Sequence, residues 1–471
     1  MTSTVQMPLW ALLLLLAFAA VTFASHFLFP SVRWFFRRRL ERAVAQLNTR
    51  LTRPIEPFKL ARRHDLIQRL VYDPDVTQAI VRYAARNKVR EDVAFEKARK
   101  YAREIVPSFS AFAYFSFGTR VANWLANMLY DVKTGPQNAA IIESIDKDAT
   151  MIFIMNHRSN MDYVLVTTLA AQSSALSYAV GEWARVWPLS RLIKAMGAYF
   201  IRRRARGGLY RTVLARYVQM ATTGGVTQAI FPEGGLTVDG IVKPAKLGLL
   251  SYLVEGWKPG GRDVVFVPIA INYDRVLEDR VLIAAAARGD RRFHARASVI
   301  VRSFLRMMWQ RLRGRFVRLG TASVVFAQPI RLSDYGDAPR LGDLGRDLMG
   351  RIQDAMPVLY VPMVARTLLH SGEPLDTAAL EVQVTQILHA VQPDVPAPAD
   401  IADGVARACT ALAARHAISE VSGGWQMTAE GAPLLRYYAN SIAHFLPPVD
   451  TVAKAAGDAA PAKEISAPAG S

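Results

Sequence analysis

Between residues 148 and 273 the chain alternates short apolar runs with longer stretches of helical spacing. The runs are "MIFIM" (151–155), "LSYAV" (176–180), "AYFIR" (198–202), "TQAIF" (227–231) and "VVFVPIAI" (264–271). Runs that stay apolar on consecutive positions suit strands covered on both faces, and helix-length segments separate them. The pattern therefore predicts an α/β fold on a mixed, largely parallel sheet flanked by helices. In such sheets the residues just past a strand's carboxyl end are natural site positions. His157, Arg203 and Glu233 stand there.

The flanking segments read differently. From Met1 to Val32 there is no Lys, Arg, Asp or Glu, and "PLWALLLLLAFAAVTFASHFLF" (8–29) is long enough to span a bilayer. Arg33, Arg37, Arg38, Arg39 and Arg42 follow directly, which predicts a membrane anchor over 1–32 with the body on the cytoplasmic side. A cleaved signal peptide is the competing reading, but its basic leading region is missing. Residues 33–147 are helical in pattern, 148–335 carry the α/β rhythm, and 336–446 return to helical spacing. The tail 447–471, rich in Ala, Pro and Gly, shows no apolar periodicity and reads as disordered. Arginines and large apolar residues mix in "VIVRSFLRMMWQRLRGRFVR" (299–318), as in a helix at a membrane interface or a basic surface helix.

Composition narrows the chemistry. Lysine and arginine outnumber acids by 58 to 39, so the chain favours anionic partners such as acidic lipid headgroups, phosphorylated substrates or nucleic acid. One cysteine, Cys409, excludes an internal disulfide and a thiolate-rich metal site; the eight histidines form no H-x-x-x-H pair, and no metal cofactor is expected. Nucleotide-binding loops of the G-x-x-x-x-G-K-[ST] and G-x-G-x-x-G types are absent, as is the G-x-S-x-G of serine hydrolases.

What remains is an ordered set of stretches. "NHRSNMD" (156–162) sets His157 and Asp162 five positions apart, as a base with its orienting carboxylate or as the ends of an ordinary strand-to-helix turn. "GAYFIRR" (197–203), "FPEGGLTVDG" (231–240) with "KPAKLG" (243–248), and "VFVPIAINY" (265–273) follow. Together they resemble the four motifs of the glycerolipid acyltransferase superfamily, whose first motif is H-x4-D. The glycerol-3-phosphate acyltransferase branch is the nearer match, and "KARKYAREI" and "WLANMLYD" are similar to its upstream helical region. The resemblance covers roughly residues 60 to 370.

The resemblance implies an enzyme of phospholipid biosynthesis that moves a fatty acyl group from a thioester to glycerol 3-phosphate; the N-terminal anchor and the Ala/Arg-rich composition place it, as an expectation, at a bacterial inner membrane. It implies His157 as general base and Asp162 as the group that fixes its tautomer. Arg158, Arg202, Arg203, Glu233, Gly234 and Lys246 are the substrate-binding candidates, with guanidinium groups suited to phosphate. No cofactor is implied beyond acyl-CoA or acyl carrier protein as co-substrate. Expected partners are glycerol 3-phosphate, the acyl thioester and anionic membrane lipids, without nucleic acid. One position departs from the family pattern: Leu236 stands where an arginine commonly follows the glycines. That leaves lysophosphatidate or dihydroxyacetone phosphate as alternative acceptors. A non-catalytic protein that binds anionic lipid or nucleic acid is the alternative of another class.

Overall fold

The computed structural model describes residues 8–171, 174–181, 189–202, 207–289, 318–391 and 400–447, together with Trp309 and Arg313. The chain divides into two compact units, Met1–Pro54 and Ile55–Ser471. The first holds one helix, α1 (Leu9–Asn48), which follows Pro8 and runs unbroken past Val32. Among the described residues no helix is long and apolar enough to cross a membrane, so the expected transmembrane anchor is not supported. The helix continues into the arginine-rich segment, and the side chains of 23–37 lie outside the described residues. Its first turns leave large apolar side chains exposed, among them Leu9, Trp10, Leu14 and Phe18.

The second unit opens with α2 (Pro57–Leu60), α3 (Arg63–Val71), α4 (Pro74–Asn87) and α5 (Glu91–Ile105). A π-helical turn (Ala113–Gly118) then leads into α6 (Thr119–Leu129). The start of α4 shows why the chain turns helical there. Asp73 accepts from the Asp75 N–H at 3.1 Å, and Pro74 occupies the first position, where no N–H is needed.

The sheet contains β1 (Asp131–Thr134), β2 (Thr150–Met155), β3 (Ser177–Val180), β4 (Tyr199–Phe200) and β5 (Gln228–Ile230). It is completed by β6 (Val264–Tyr273), β7 (Thr321–Phe326) and β8 (Ile330–Arg331). The strand order is β1-β7-β6-β2-β5-β3-β4, with β8 pairing β6. Pairing is parallel except where β6 meets β7 and β8. Each of the five apolar runs forms a strand, and the sheet is mixed and largely parallel as the pattern predicts. Between strands lie α7 (Asn138–Glu143), α8 (Met161–Ala170), α9 (Leu189–Ala195), α10 (Gly208–Thr223), α11 (Leu247–Gly256) and α12 (Asp279–Ala287). β1 comes from the segment whose pattern reads as helical.

Both sheet faces are covered, which is why the strands are apolar without alternation. Met151, Phe153 and Met155 of β2 pack on one face with residues of α6 and α8. Ile152 and Ile154 pack on the other with residues of α3, α4, α5, α10 and α11. The C-terminal segment adds α13 (Leu341–Asp354) to this second face and α14 (Tyr360–Ser371), α15 (Thr377–Val391), α16 (Ile401–Ala413) and α17 (Ala432–Ala439) to the first. It also contains a hairpin of β9 (Ile418–Val421) and β10 (Gly424–Met427), where the sequence pattern predicts only helix. Ser422 and Gly423 both take positive φ, 53° and 81°, as a two-residue turn between twisted strands requires. The 299–318 stretch lies outside the described residues apart from Trp309, Arg313 and Arg318, as does the tail beyond Pro447.

Candidate active site

The carboxyl end of β2 delivers the first motif. Asn156 prolongs the ladder with its side chain: Nδ2 donates to the Ile271 carbonyl at 2.9 Å and Oδ1 accepts from the Ile271 N–H at 2.8 Å. The backbone then turns into α8, and Ser159 Oγ accepts from the Met161 N–H at 3.1 Å. Asp162, in the first turn of α8, reaches back over this turn. Its Oδ2 accepts from the N–H groups of Arg158 (2.8 Å) and Ser159 (3.0 Å) and lies 2.9 Å from His157 Nδ1. Its Oδ1 accepts from the Tyr273 hydroxyl at 2.5 Å. His157 is 2 % exposed and Asp162 fully buried.

This geometry sets the proton's place. A carboxylate that already accepts two N–H groups is an acceptor for the ring as well, so Nδ1 carries the proton and Nε2 keeps its lone pair. Among the described residues no group hydrogen-bonds Nε2. The ring packs on Phe231 at a 30° tilt, centroids 4.1 Å apart, with Tyr163 edge-on at 5.5 Å. Tyr273 is fully buried, and burial beside Asp162 pushes its hydroxyl well above the usual range, so it stays protonated and donates.

Glu233, three residues past β5, is also buried. Its Oε1 accepts from the His157 N–H at 2.8 Å and its Oε2 from the Lys243 N–H at 3.1 Å. Both oxygens thus hold backbone, tying the His157 loop to the 243 segment. Burial raises its pKa to about 7, against the lowering effect of those two N–H groups. Gly234 has φ 69°, and a Cβ there would meet Lys246 Cδ at 2.9 Å. The glycine therefore allows both the left-handed turn and the close passage of Lys246. Thr237 closes the loop by donating its N–H to the His157 carbonyl at 2.9 Å.

The cations divide by partner. Arg158 is 1 % exposed; Nη1 donates to the Gly240 carbonyl at 3.0 Å, while Nε and Nη2 are buried with no partner among the described residues. Its guanidinium lies 5.4 Å from the Tyr437 ring centroid. Lys246 is exposed above Gly234, and Lys243 forms an ion pair with Asp239. Arg202, expected as a substrate contact, is instead gripped by both oxygens of Glu104 on α5, at 2.8 and 2.5 Å, between the rings of Tyr101 and Tyr210. Arg203 lies outside the described residues. Leu236, the residue in place of an arginine, is half-buried against the apolar core.

Sequence reasoning missed the residues that the tertiary fold brings to this loop. Tyr273 ends the fourth motif, and its hydroxyl is the one polar group on an otherwise apolar strand face. Glu278 accepts from Ser159 Oγ at 2.7 Å and from the Asn160 N–H and Nδ2 at 3.1 and 3.0 Å. The C-terminal segment closes over the same region. Gly240 has φ 84° and sits so near Tyr437 that a Cβ would fall 1.9 Å from its carbonyl oxygen. Asn440 Nδ2 donates to the Asp239 carbonyl at 2.8 Å. The buried pair of Asp279 and Arg415, joined by the Tyr438 hydroxyl, anchors this segment beside Glu278.

Residues 138–272 match the family model described as Acyltransferase, and residues 303–455 match the Glycerol-3-phosphate acyltransferase C-terminal region. The chain is 29 % identical over 288 residues to a glycerol-3-phosphate acyltransferase of Ectopseudomonas mendocina, covering 60 % of this chain and 33 % of that protein. It is 27 % identical over 348 residues to one of Pseudomonas syringae pv. tomato, covering 68 % and 40 %. The chain thus aligns with about a third of the length of such relatives. Among solved structures it is similar to the 1-acyl-sn-glycerophosphate (LPA) acyltransferase PlsC from Thermotoga maritima, at 20 % identity and a TM-score of 0.32 over 50 % of this chain and 76 % of that one. An acyltransferase domain around the His157 loop, followed by a region similar to the glycerol-3-phosphate acyltransferase C-terminal region, is thus what the chain shares with these relatives.

Proposed function

We propose that this chain transfers a fatty acyl group from a thioester to the sn-1 hydroxyl of glycerol 3-phosphate, giving lysophosphatidate. The observation that carries the reading is the buried His157–Asp162 pair, 2.9 Å apart, with Nε2 left as a base. Nε2 accepts the glycerol hydroxyl proton while the oxygen attacks the thioester carbonyl carbon. The C–O bond forms, negative charge collects on the carbonyl oxygen, and its return breaks the C–S bond. The leaving thiolate takes the proton back from the imidazolium. A positioned base of this kind contributes about 10² to 10⁴ in rate. Asp162 holds the ring and stabilises the imidazolium, and the chemistry needs no covalent enzyme intermediate.

Arg158 and Lys246 are the cations that serve the acceptor phosphate in this reading. Arg158 follows the base directly and has buried donors to spare, a costly state that an anion offsets. Lys243 is already neutralised by Asp239, and Leu236 serves the core. Glu233 positions the His157 loop through two backbone N–H groups. The exposed apolar turns of α1 are the proposed contact with a membrane carrying anionic lipids, into which the product also partitions.

The test is thiol release from a long-chain acyl-CoA by the purified chain, with glycerol 3-phosphate, lysophosphatidate and dihydroxyacetone phosphate offered separately. Release that requires glycerol 3-phosphate and vanishes in folded His157→Ala is the expected result. Lys246→Met should raise KM for glycerol 3-phosphate and leave KM for the donor unchanged. Release with lysophosphatidate alone would move the reaction one acylation later, and release that survives His157→Ala would remove the base assignment.

A further inference from the structure

A second concentration of charge lies at β4, the edge strand of the sheet. Two cavities there share Arg63 and Ser108 as lining residues. The larger, about 450 Å³, is bounded by Arg63, Lys100, Arg103, Arg191 and Lys194, and its one acidic residue is Glu104. That carboxylate is engaged by Arg202 through both oxygens. The smaller, about 230 Å³, has Phe58, Phe109, Leu66 and Tyr217 in its wall, no acidic residue, and Lys59. Lys59 is 8 % exposed, donates to the Ala175 carbonyl at 2.6 Å, and lies 4.7 Å from the Phe109 ring centroid. Gly197, at the head of "GAYFIRR", makes room for it: a Cβ there would stand 3.3 Å from Lys59 Cε and 3.1 Å from Phe109.

Cations gathered this way repel one another, and burying them without a carboxylate costs more still. Burial and the neighbouring Arg103 lower the pKa of Arg63, and burial lowers that of Lys59. An anionic ligand offsets both costs. These cations line concavities, so the charge they meet is that of a small molecule with several phosphates, and the aromatic walls of the smaller cavity suit a purine ring.

Register gives the distance to the chemistry. Val180 pairs with Phe200, while Tyr178 and Phe153 are both level with Ala229, which puts Phe200 level with Met155 three strands away. At about 4.8 Å per strand and 3.3 Å per residue, the His157 backbone lies roughly 16 Å from Phe200. An extended pantetheine arm, built around two amides of ordinary peptide dimensions, spans that gap.

Building on the acyl-transfer reading above, we infer that the paired cavities beside β4 hold the phosphorylated nucleotide end of coenzyme A, so that the donor thioester reaches His157 from the sheet edge. The test measures binding by calorimetry, apart from turnover, with coenzyme A, adenosine 3′,5′-bisphosphate, pantetheine and glycerol 3-phosphate as probes. The variants are Lys59→Met and a triple change at exposed positions, Lys100→Ser, Arg103→Ser and Arg191→Ser. The triple variant should bind coenzyme A and the bisphosphate at least about tenfold more weakly, with a flatter salt dependence. Its binding of pantetheine and glycerol 3-phosphate should not change. Lys59→Met should weaken the bisphosphate alone among the two fragments.

Equal coenzyme A affinity in wild type and triple variant overturns the inference. So does a triple variant that loses only its adhesion to phosphatidylglycerol vesicles, which would make this a headgroup site, or only its transfer from acyl carrier protein. Charge-dependent coenzyme A binding without transfer to any acceptor would leave the site standing and remove the proposed reaction. Transfer from acyl-CoA that ignores the three cations would do the reverse.

Discussion

Replacing Asp162 by Asn is the sharpest test of the dyad, because the structure says which interactions survive. The amide oxygen in the place of Oδ2 still accepts from the Arg158 and Ser159 N–H groups and from His157 Nδ1, so the loop and the ring tautomer persist. The amide nitrogen in the place of Oδ1 donates to Tyr273, whose hydroxyl then turns to accept. What disappears is the negative charge facing the imidazolium as it forms. With charge centres about 4 Å apart and an effective dielectric of about 20, that attraction is about 4 kcal/mol, or about a thousandfold in rate. The assay is kcat and KM for glycerol 3-phosphate by thiol release, with thermal unfolding as the control for folding. The expected result is kcat down by about 10³ with KM within about threefold. A folded variant that keeps more than about a tenth of wild-type kcat would refute the argument that Asp162 acts through its charge.

Tyr273→Phe should retain the fold and lower kcat by about tenfold, because Oδ1 of a buried carboxylate loses its donor; the same loss should cost about 1–3 kcal/mol in urea unfolding. Unchanged kcat would make Tyr273 a packing residue only. Glu233 gives a pH signature. Its folded pKa of about 7 lies above the ordinary 4.5, so the folded chain keeps a proton that the unfolded chain releases between those values. The stability from that proton is complete below pH 4.5 and is lost as pH rises toward 7, by about 3 kcal/mol at most. Glu233→Gln should lack this decline, so the gap between the two unfolding curves should change between pH 5 and 7; parallel curves would refute it.

The strands were legible because a sheet buried on both faces leaves apolar runs, and their helical spacers leave a periodicity that needs no tertiary knowledge. The His157–Asp162 contact was legible for a similar reason: five residues across a strand-to-helix turn is local geometry. The β9–β10 hairpin was hidden, because its strands are four residues each and its signal, Ser422-Gly423, lies among helices. Arg202 was read as a ligand from its place at a strand end, but Glu104, almost a hundred residues earlier, takes its charge. No local pattern pairs those two residues.

The amino-acid sequence by itself determined the sheet, the place of the first motif at a strand's carboxyl end, and the order of the motifs that resemble those of the acyltransferases. These rest on periodicity, turn chemistry and motif order, all of which are written along the backbone. Only the tertiary structure decided that Tyr273 completes the shell of Asp162, that Glu233 binds backbone at both oxygens, and that Arg158 is buried under Tyr437. It alone gathered Lys59, Arg63, Lys100, Arg103, Arg191 and Lys194 beside β4. The physical reason is that a buried polar group is satisfied by whichever partner the packing of distant elements brings within about 3 Å, and that choice is made in space, not along the chain.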